Sequence, residues 1–304
     1  LTNFAVEYGN ADFIASRVAP FVPVVHKSDE YYTFTKKDKF TIPEDIRGPK
    51  SEANEVDWSS STDTYACIDR ALRDFLADSI VGNADPVVNP RQRTTNFLVD
   101  LLLLAHERRV AASVFATGSY GASYRTALSG GDQLDKYATS DPLGVIETGR
   151  EACFRPPNIC VLGAEVYSKL KHHPAIIDKV KGGATVDKAA MVNTRLLAEL
   201  FEVDEVLVGR AKYNSANKGA TASYSYVWGK YIFLGYCPQS VSIDDVAAWK
   251  TFRWIQMSTN LPYKVRTYRD EARGGGGEWI EPEMSLVHKQ VCADVGYLIS
   301  GAVA

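Results

Sequence analysis

Asn89-Pro90 at one end and Gly118 at the other bracket a stretch of sequence that restricts every fold open to this chain. Asparagine is a good N-cap, proline suits the first helical turn, and glycine closes a helix at its far end. The brackets predict one helix from Pro90 to Thr117, partly buried along Leu98, Leu101, Leu102 and Ala105. At about 1.5 Å per residue it is roughly 42 Å long, beyond the usual globular helix. A fold that contains it is built along a strut.

The segments before the strut have little core of their own. Residues 1–25 carry Pro20, Pro23 and scattered aromatics, which predicts an extended arm with a short helix. Residues 30–66 read as a two-stranded excursion, with β-formers alternating in Tyr32-Thr33-Phe34-Thr35 and Ser, Thr and aromatics from Trp58 to Tyr65. Pro43, Gly48 and Pro49 make the stretch between them turn-prone, and acids and bases are interleaved from Lys36 to Asp57. A lone hairpin is marginal in water, so this excursion is expected to lie on something else. Ile68, Leu72, Phe75, Leu76 and Ile80 then fall at helical spacing and predict a second helix ending at Gly82.

After the strut the pattern becomes α/β. Ile159-Cys160-Val161-Leu162 reads as a buried strand followed by a helix through Val166, Tyr167 and Leu170. A further helix is expected from about Lys188 to Phe201, then strands at Val206 to Val208 and Tyr224 to Tyr236. The last third reads as β-structure: Tyr263 to Tyr268, a loop at Gly274 to Gly277, Trp279 to Val287, and a returning strand at Gly296 to Ser300.

Composition narrows the function. Of 304 residues, 45% are apolar and 23% charged, which is material for a large core and not for a disordered chain. A formal net charge of -3 argues against a dedicated nucleic-acid binder or a basic membrane-surface protein, both of which need a cationic face. Cys67, Cys153, Cys160, Cys237 and Cys292 contain no CxxC pair and read as free thiols of a reducing compartment. No secretory signal opens the sequence, and the longest apolar run, Leu101 to Ala105, is far short of a membrane span. A soluble intracellular product is expected.

The search for catalytic chemistry finds no convergent motif. There is no P-loop, no GxGxxG opening a helix, no GxSxG and no HExxH. His106-Glu107 lies on the strut, but the metal partner expected four residues after His106 is Val110, so the pair reads as a solvated or partner-facing polar turn. Cys153, Cys160, His172 and His173 form the only cluster that hints at zinc, and the six-residue gap between the cysteines is wider than structural zinc sites favour. The glycine run, with no Lys-Ser/Thr pair or helix start after it, reads as a hairpin tip and not as a phosphate cradle. Catalysis by a cysteine and a histidine that are neighbours only in space stays open.

Several phrases are similar to those of one family in both wording and order. They are Pro157-Asn158-Ile159-Cys160-Val161-Leu162-Gly163 before a helix ending near His172-His173-Pro174, Glu205 to Asn214 (EVLVGRAKYN), Val227-Trp228-Gly229-Lys230, and Tyr268-Arg269-Asp270-Glu271. With an arm, a charged β-excursion, a long helix, an α/β region and a returning strand, the chain resembles the major capsid proteins of tailed bacteriophages. The resemblance implies an α+β Hong Kong 97-type fold over nearly the whole length. Its parts are an N-terminal arm (1–29), an extended loop (30–66), a peripheral domain (67–144 and 261–290) with its spine helix at 90–117, and an axial domain (145–260 and 291–304). The chain departs from some members in lacking a long charged helical segment at its start. Beginning at Leu1, it is expected to be either a cleaved product or a chain whose scaffold is separate.

The resemblance implies a protein that self-assembles as hexamers and pentamers into an icosahedral shell around double-stranded DNA. Scaffold, maturation protease, portal and decoration proteins are its implied partners, the virion its location, and the host bacterial cytoplasm its place of assembly. No catalytic residue, cofactor, metal or membrane is implied. Lys36, Lys37, Lys39, Arg47, Lys50 and Trp58 are the candidate inter-subunit contacts, since a charged arm without a core is natural when it lies over a neighbour. Arg91, Arg93, Arg108 and Arg109, at the two ends of the strut, are the candidate DNA-facing residues; the alternative is ion pairing with Asp85, Asp100 or Glu107. An encapsulin-type nanocompartment shares the fold and is the nearest rival, and a cysteine-dependent α/β enzyme is the rival from another class.

Overall fold

The strut is a helix over Pro90–Val114, ending before the Thr117 that its brackets predict. Asn89 caps it, its side chain accepting from the Gln92 N–H at 3.3 Å, and Pro90 opens the first turn. Packing sets the other end. Phe115 stacks on Tyr231 at 4.5 Å and meets Trp228 edge-on, contacts that hold it where the helix stops.

The structure is a computed structural model describing residues 10, 13–34, 36–57, 60–84, 89–180, 192–217, 219–239, 241–257, 261–273 and 275–304. In chain order its helices are α1 (Ala15–Val18), α2 (Lys36–Phe40), α3 (Asp78–Gly82), α4 (Pro90–Val114), α5 (Pro142–Ala152), α6 (Ala164–Leu170), α7 (Pro174–Val180) and α8 (Thr194–Leu200). The strands of the first half are β1 (Phe21–Val24), β2 (Ser28–Phe34), β3 (Ser60–Ala66), β4 (Ile68–Ala71), β5 (Asp74–Ala77) and β6 (Arg125–Ala127). Those that follow are β7 (Ile159–Gly163), β8 (Glu205–Gly209), β9 (Lys212–Asn214), β10 (Tyr224–Tyr226), β11 (Ile232–Gly235) and β12 (Trp249–Trp254). The last three are β13 (Lys264–Asp270), β14 (Gly277–Gln290) and β15 (Gly296–Ser300).

Two sheets carry the fold. In one, β14 is the axis: β13 and β12 pair along one edge, β5 and β4 along the other, and β1 extends the sheet by running parallel to β12. The other has the order β6-β15-β11-β7-β8, with β11 antiparallel to both neighbours and parallel pairs at each end. Its strands β7 and β11 are apolar throughout, as strands covered on both faces should be, and Ile159, Val161, Phe233 and, in β15, Leu298 are fully buried.

Helix α4 joins the two sheets. Its buried stripe returns every fourth residue, at Leu98, Leu102, His106, Val110 and Val114. Leu98 packs with Leu76 and Ile280, and Leu102 with Met284 and Leu286, all on the β14 sheet. Val110, Ala111 and Val114 enter the core shared with Ile159, Val161 and Phe233 of the second sheet. Leu101, expected on the buried face, is instead 39% exposed. Leu102→Asp is therefore expected to cost on the order of 4 kcal/mol by stranding a carboxylate among apolar side chains, while Leu101→Asp is nearly neutral. Urea denaturation of the unassembled chain reads both, and equal losses would contradict this packing.

The helix expected over 68–82 is two strands and one turn of helix, β4, β5 and α3. Helical spacing alone did not decide it, because β14 presents an edge whose backbone groups these strands satisfy. Leu76 is buried, whereas Ile68, Leu72 and Ile80 are exposed. In the expected arm, Val18 and Ala19 are fully buried and β1 is a strand of the β14 sheet, so this stretch belongs to the core of its own chain. Two further segments sit in sheets other than those expected: β12 lies beside β14, and β6 beside β15. The helix expected from Lys188 is described only from residue 192, as α8, and residues 188–191 lie outside the described residues. Of the expected glycine loop, Gly274 lies outside the described residues, and Gly275 and Gly276, between β13 and β14, take φ of +84° and +98°, values that favour glycine.

Candidate assembly surface

The excursion is a hairpin with an anchored base and an uncovered tip. Strands β2 and β3 pair antiparallel from Ser28↔Ala66 to Phe34↔Ser60. Tyr31 and Tyr65 point to the same face and clasp Phe252 of β12, with Tyr65 stacked on it at 4.7 Å and Tyr31 at 5.4 Å. Tyr31 Oη donates to Asp63 at 2.7 Å, which holds the Asp63 carboxyl below the usual carboxylate range. Above this base, α2 docks on the same chain: Lys36 pairs with Asp294 and lies over the Phe154 ring at 4.6 Å, and Phe40 meets Phe154 edge-on.

Beyond α2 the chain leaves the body. Every residue from Thr41 to Asp57 is exposed, including Ile42 at 94% and Ile46 at 80%. Within the stretch, Arg47 Nε donates to the Ser51 carbonyl at 2.7 Å and Asn54 Nδ2 to the Glu44 carbonyl at 2.6 Å. The candidate contact residues thus divide. Lys36 is engaged with its own chain, Lys37, Arg47 and Lys50 are exposed, and the Lys39 side chain and Trp58 lie outside what the structure describes.

The candidate DNA-facing arginines do not converge. Arg91 pairs with Glu278, and Arg93 is half-buried in the cleft between α3, β5 and α4. Arg108 is exposed and stacks over Tyr213 at 4.6 Å, while Arg109 turns inward toward Met284. Of the acids expected as alternative partners, Glu107 is committed elsewhere and Asp85 lies outside the described residues.

His106-Glu107, expected to be solvated or partner-facing, is buried, with Glu107 fully enclosed. Glu107 accepts from the Ile14 N–H at 3.0 Å, the Ala15 N–H at 2.8 Å and Trp228 Nε1–H. One carboxylate thereby ties α1 and the turn before β11 to the strut. Burial pushes the Glu107 carboxyl up, and these donors oppose it. His106 stacks on Phe21 at 5.5 Å and lies 4.9 Å from His288, and burial drives it down to about 3. Sequence reasoning missed this centre because its donors come from chain positions far from residue 107.

The cysteine–histidine cluster is not assembled. Cys160 is fully buried in β7 and Cys153 sits at the end of α5, its thiol pushed up to about 12 by burial. His173 Nε2 hydrogen-bonds Ser140 at 3.0 Å, and its Nδ1 accepts from the Ala175 N–H. Among the described residues no group of three or more His, Cys, Asp or Glu side chains is placed to hold a metal ion. Three of the four family-like phrases, by contrast, do meet, while Tyr268–Glu271 lies at the end of β13 in the other sheet. A Cβ on Gly209 would lie 2.2 Å from the Trp228 ring and one on Gly163 1.8 Å from the Gly229 carbonyl, so the ends of β8 and β7 close on the Val227–Lys230 turn.

A strut bridging two sheets, with a base-anchored hairpin projecting from them, is the Hong Kong 97-type fold of phage capsid proteins. The chain superposes on the capsid of cyanophage P-SCSP1u with a TM-score of 0.61 at 10% identity, covering 99% of this chain and 91% of that one. A phage-related protein of Bordetella bronchiseptica RB50 gives 0.72 at 23% identity, covering 97% and 93%. The SrpI encapsulin complex of Synechococcus elongatus PCC 7942 gives 0.55 at 8% identity, covering 98% and 92%. No protein-family model matches the chain. In sequence it is 34% identical to the major capsid protein of Pseudomonas phage JBD67, over 100% of this chain and 96% of that protein. It is 29% identical to the major capsid protein of Burkholderia phage BcepMu, over 78% and 75%. The chain belongs to the family of phage major capsid proteins.

Proposed function

We propose that copies of this chain assemble as hexamers and pentamers into the icosahedral shell of a virion, built in the host bacterial cytoplasm and enclosing double-stranded DNA. The observation that carries this reading is the exposed stretch from Thr41 to Asp57, which has no core of its own and displays Ile42, Ile46 and Val56 to solvent. Apolar side chains on a projecting arm are costly in a lone subunit and natural beneath or above a second copy. Lys37, Arg47 and Lys50 are the contacts proposed from this stretch, and Lys36 acts instead to seat its base. Contact with DNA is weak and independent of sequence, in keeping with the net charge of -3, and Arg108, exposed over the Tyr213 ring, is the candidate proposed for it. The chain works without catalysis. Among the described residues no helix is long and apolar enough to cross a membrane.

Phage capsid and encapsulin share the fold, and the full-length relative favours the phage reading. Deleting residues 42–57 removes only exposed side chains, so the variant is expected to keep its circular dichroism and melting profile while forming no shells. Normal particles from the deletion would sink the proposal that this stretch joins subunits.

A further inference from the structure

We infer that the acidic arm of one copy lies on the β9–β10 ribbon of the next, so that subunits join head to tail. The inference rests on the reading that the Thr41–Asp57 stretch joins subunits, and it names the surface that receives that stretch. From Val206 to Ile243 the chain has no Asp or Glu, although acids outnumber bases overall, 37 to 34. Arg210 and Lys212 stand exposed in this acid-free stretch. They lie over the rings of Tyr167 and Tyr226, at 5.7 and 4.8 Å, and neither pairs with a carboxylate among the described residues. A cation held by a ring is oriented while its N–H groups stay free to donate to an oxyanion.

The ribbon has two faces. Pairing of Lys212 with Tyr226 and of Asn214 with Tyr224 puts these four on one face, where Tyr224 is 72% exposed. Tyr213 and Ser225 belong to the other, and Arg108 stacks there. The first face thus combines cations with exposed aromatic surface. The arm carries the complement: Glu44, Asp45, Glu52, Glu55 and Asp57 outnumber Arg47 and Lys50, and Ile42, Ile46 and Val56 are exposed among them.

Arm and ribbon sit at opposite ends of one sheet. The root of the arm, α2, meets Phe154 and Asp294, just ahead of β7 and β15, which run the same way because both are antiparallel to β11. The ribbon leaves from Gly209, at the far end of β8, the parallel neighbour of β7. Complementary patches at opposite ends of one body make a heterologous contact, which repeats from copy to copy and closes as a ring when the rotation permits. Hexamers and pentamers are such rings.

Charge reversal in the full-length chain, produced with its phage's assembly proteins and viewed by electron microscopy, tests the contact. Arg210→Glu with Lys212→Glu is expected to abolish shells while leaving the subunit's melting profile unchanged, since both side chains are exposed. Adding Glu44→Lys, Glu52→Lys and Glu55→Lys to that chain reverses the partner as well and is expected to restore the shells. Loss without restoration would mean that the ribbon meets something other than the arm, and would overturn the inference. So would normal shells from the reversed ribbon, and if those shells lack DNA the ribbon is a DNA contact instead. If the reversal does not fold, Arg210→Gln with Lys212→Gln takes its place; shell yield should then fall about tenfold, and an unchanged yield would equally overturn the contact. Deletion of residues 42–57 separates the two failures. Shells that tolerate the ribbon changes but not the deletion leave the arm reading intact, and shells that tolerate both refute it as well.

Discussion

Replacing Glu107 with alanine is expected to destabilise the subunit by on the order of 3–5 kcal/mol. The substitution leaves the Ile14 and Ala15 amides and the Trp228 indole N–H without their acceptor in a buried place. Each stranded donor costs about 1–3 kcal/mol, and partial relaxation keeps the sum below the maximum. Glu107→Gln is expected to fall between, because its NH2 would face a donor where a carboxylate oxygen accepted. Chemical denaturation of the unassembled chain measures both. Losses of less than about 1 kcal/mol for alanine would mean that α1 and the Trp228 turn are held by something other than this carboxylate.

Acid is the second strong lever. His106 and His288 lie 4.9 Å apart between α4 and β14, and burial lowers them to about 3 and about 4. The charged groups facing the pair are Arg109 on α4, which further opposes protonation of both, and Arg70 on β4, which further opposes that of His288. In the unfolded chain each imidazole titrates near its ordinary value of about 6.5. Below that pH the unfolded state takes up protons that the folded state refuses, so stability is full above about 6.5 and falls as the pH drops toward 4. At about 1.4 kcal/mol per pKa unit, each histidine removes about 2 kcal/mol between pH 7 and pH 5. Denaturation midpoints at the two pH values should differ accordingly, and His288→Gln should remove roughly half of the difference. An unaltered chain equally stable at both pH values would show that these imidazoles are not enclosed when the subunit is in solution.

Both levers lie where sequence reading was weakest, and the reason is physical. The N-terminal end of the strut was legible because its signals are local: Asn89 caps it and Pro90 starts it within one turn of chain. The hairpin β2–β3, the buried strand β7 and the returning strand β15 were legible through alternation or unbroken apolar runs. Residues 68–82 were not, because apolar spacing fits a helix or a pair of short strands, and only the distant edge of β14 decides between them. Strand β12 was hidden by its polar residues. Lys250 is fully buried there because its ammonium donates to the Ser242 and Ile243 carbonyls at 3.1 and 2.7 Å. Glu107 and His106 read as surface residues for the same reason: nothing near them in the chain reveals donors and rings supplied from afar.

The exposed stretch of the excursion was read correctly as lacking a core, but its footing was not. Tyr31 and Tyr65 close on Phe252, and Lys36 and Phe40 settle on Asp294 and Phe154, so the arm leaves the body in a set direction. A seated base with a free tip positions the contact before a second copy arrives, which lowers the ordering cost of association.

Electron microscopy of purified particles from cells producing the full-length chain, with its phage's assembly proteins present, tests the central claim most directly. Closed icosahedral shells built of this chain and containing double-stranded DNA are the predicted result. Small discrete oligomers, or shells of the same fold filled with protein in place of DNA, would contradict it.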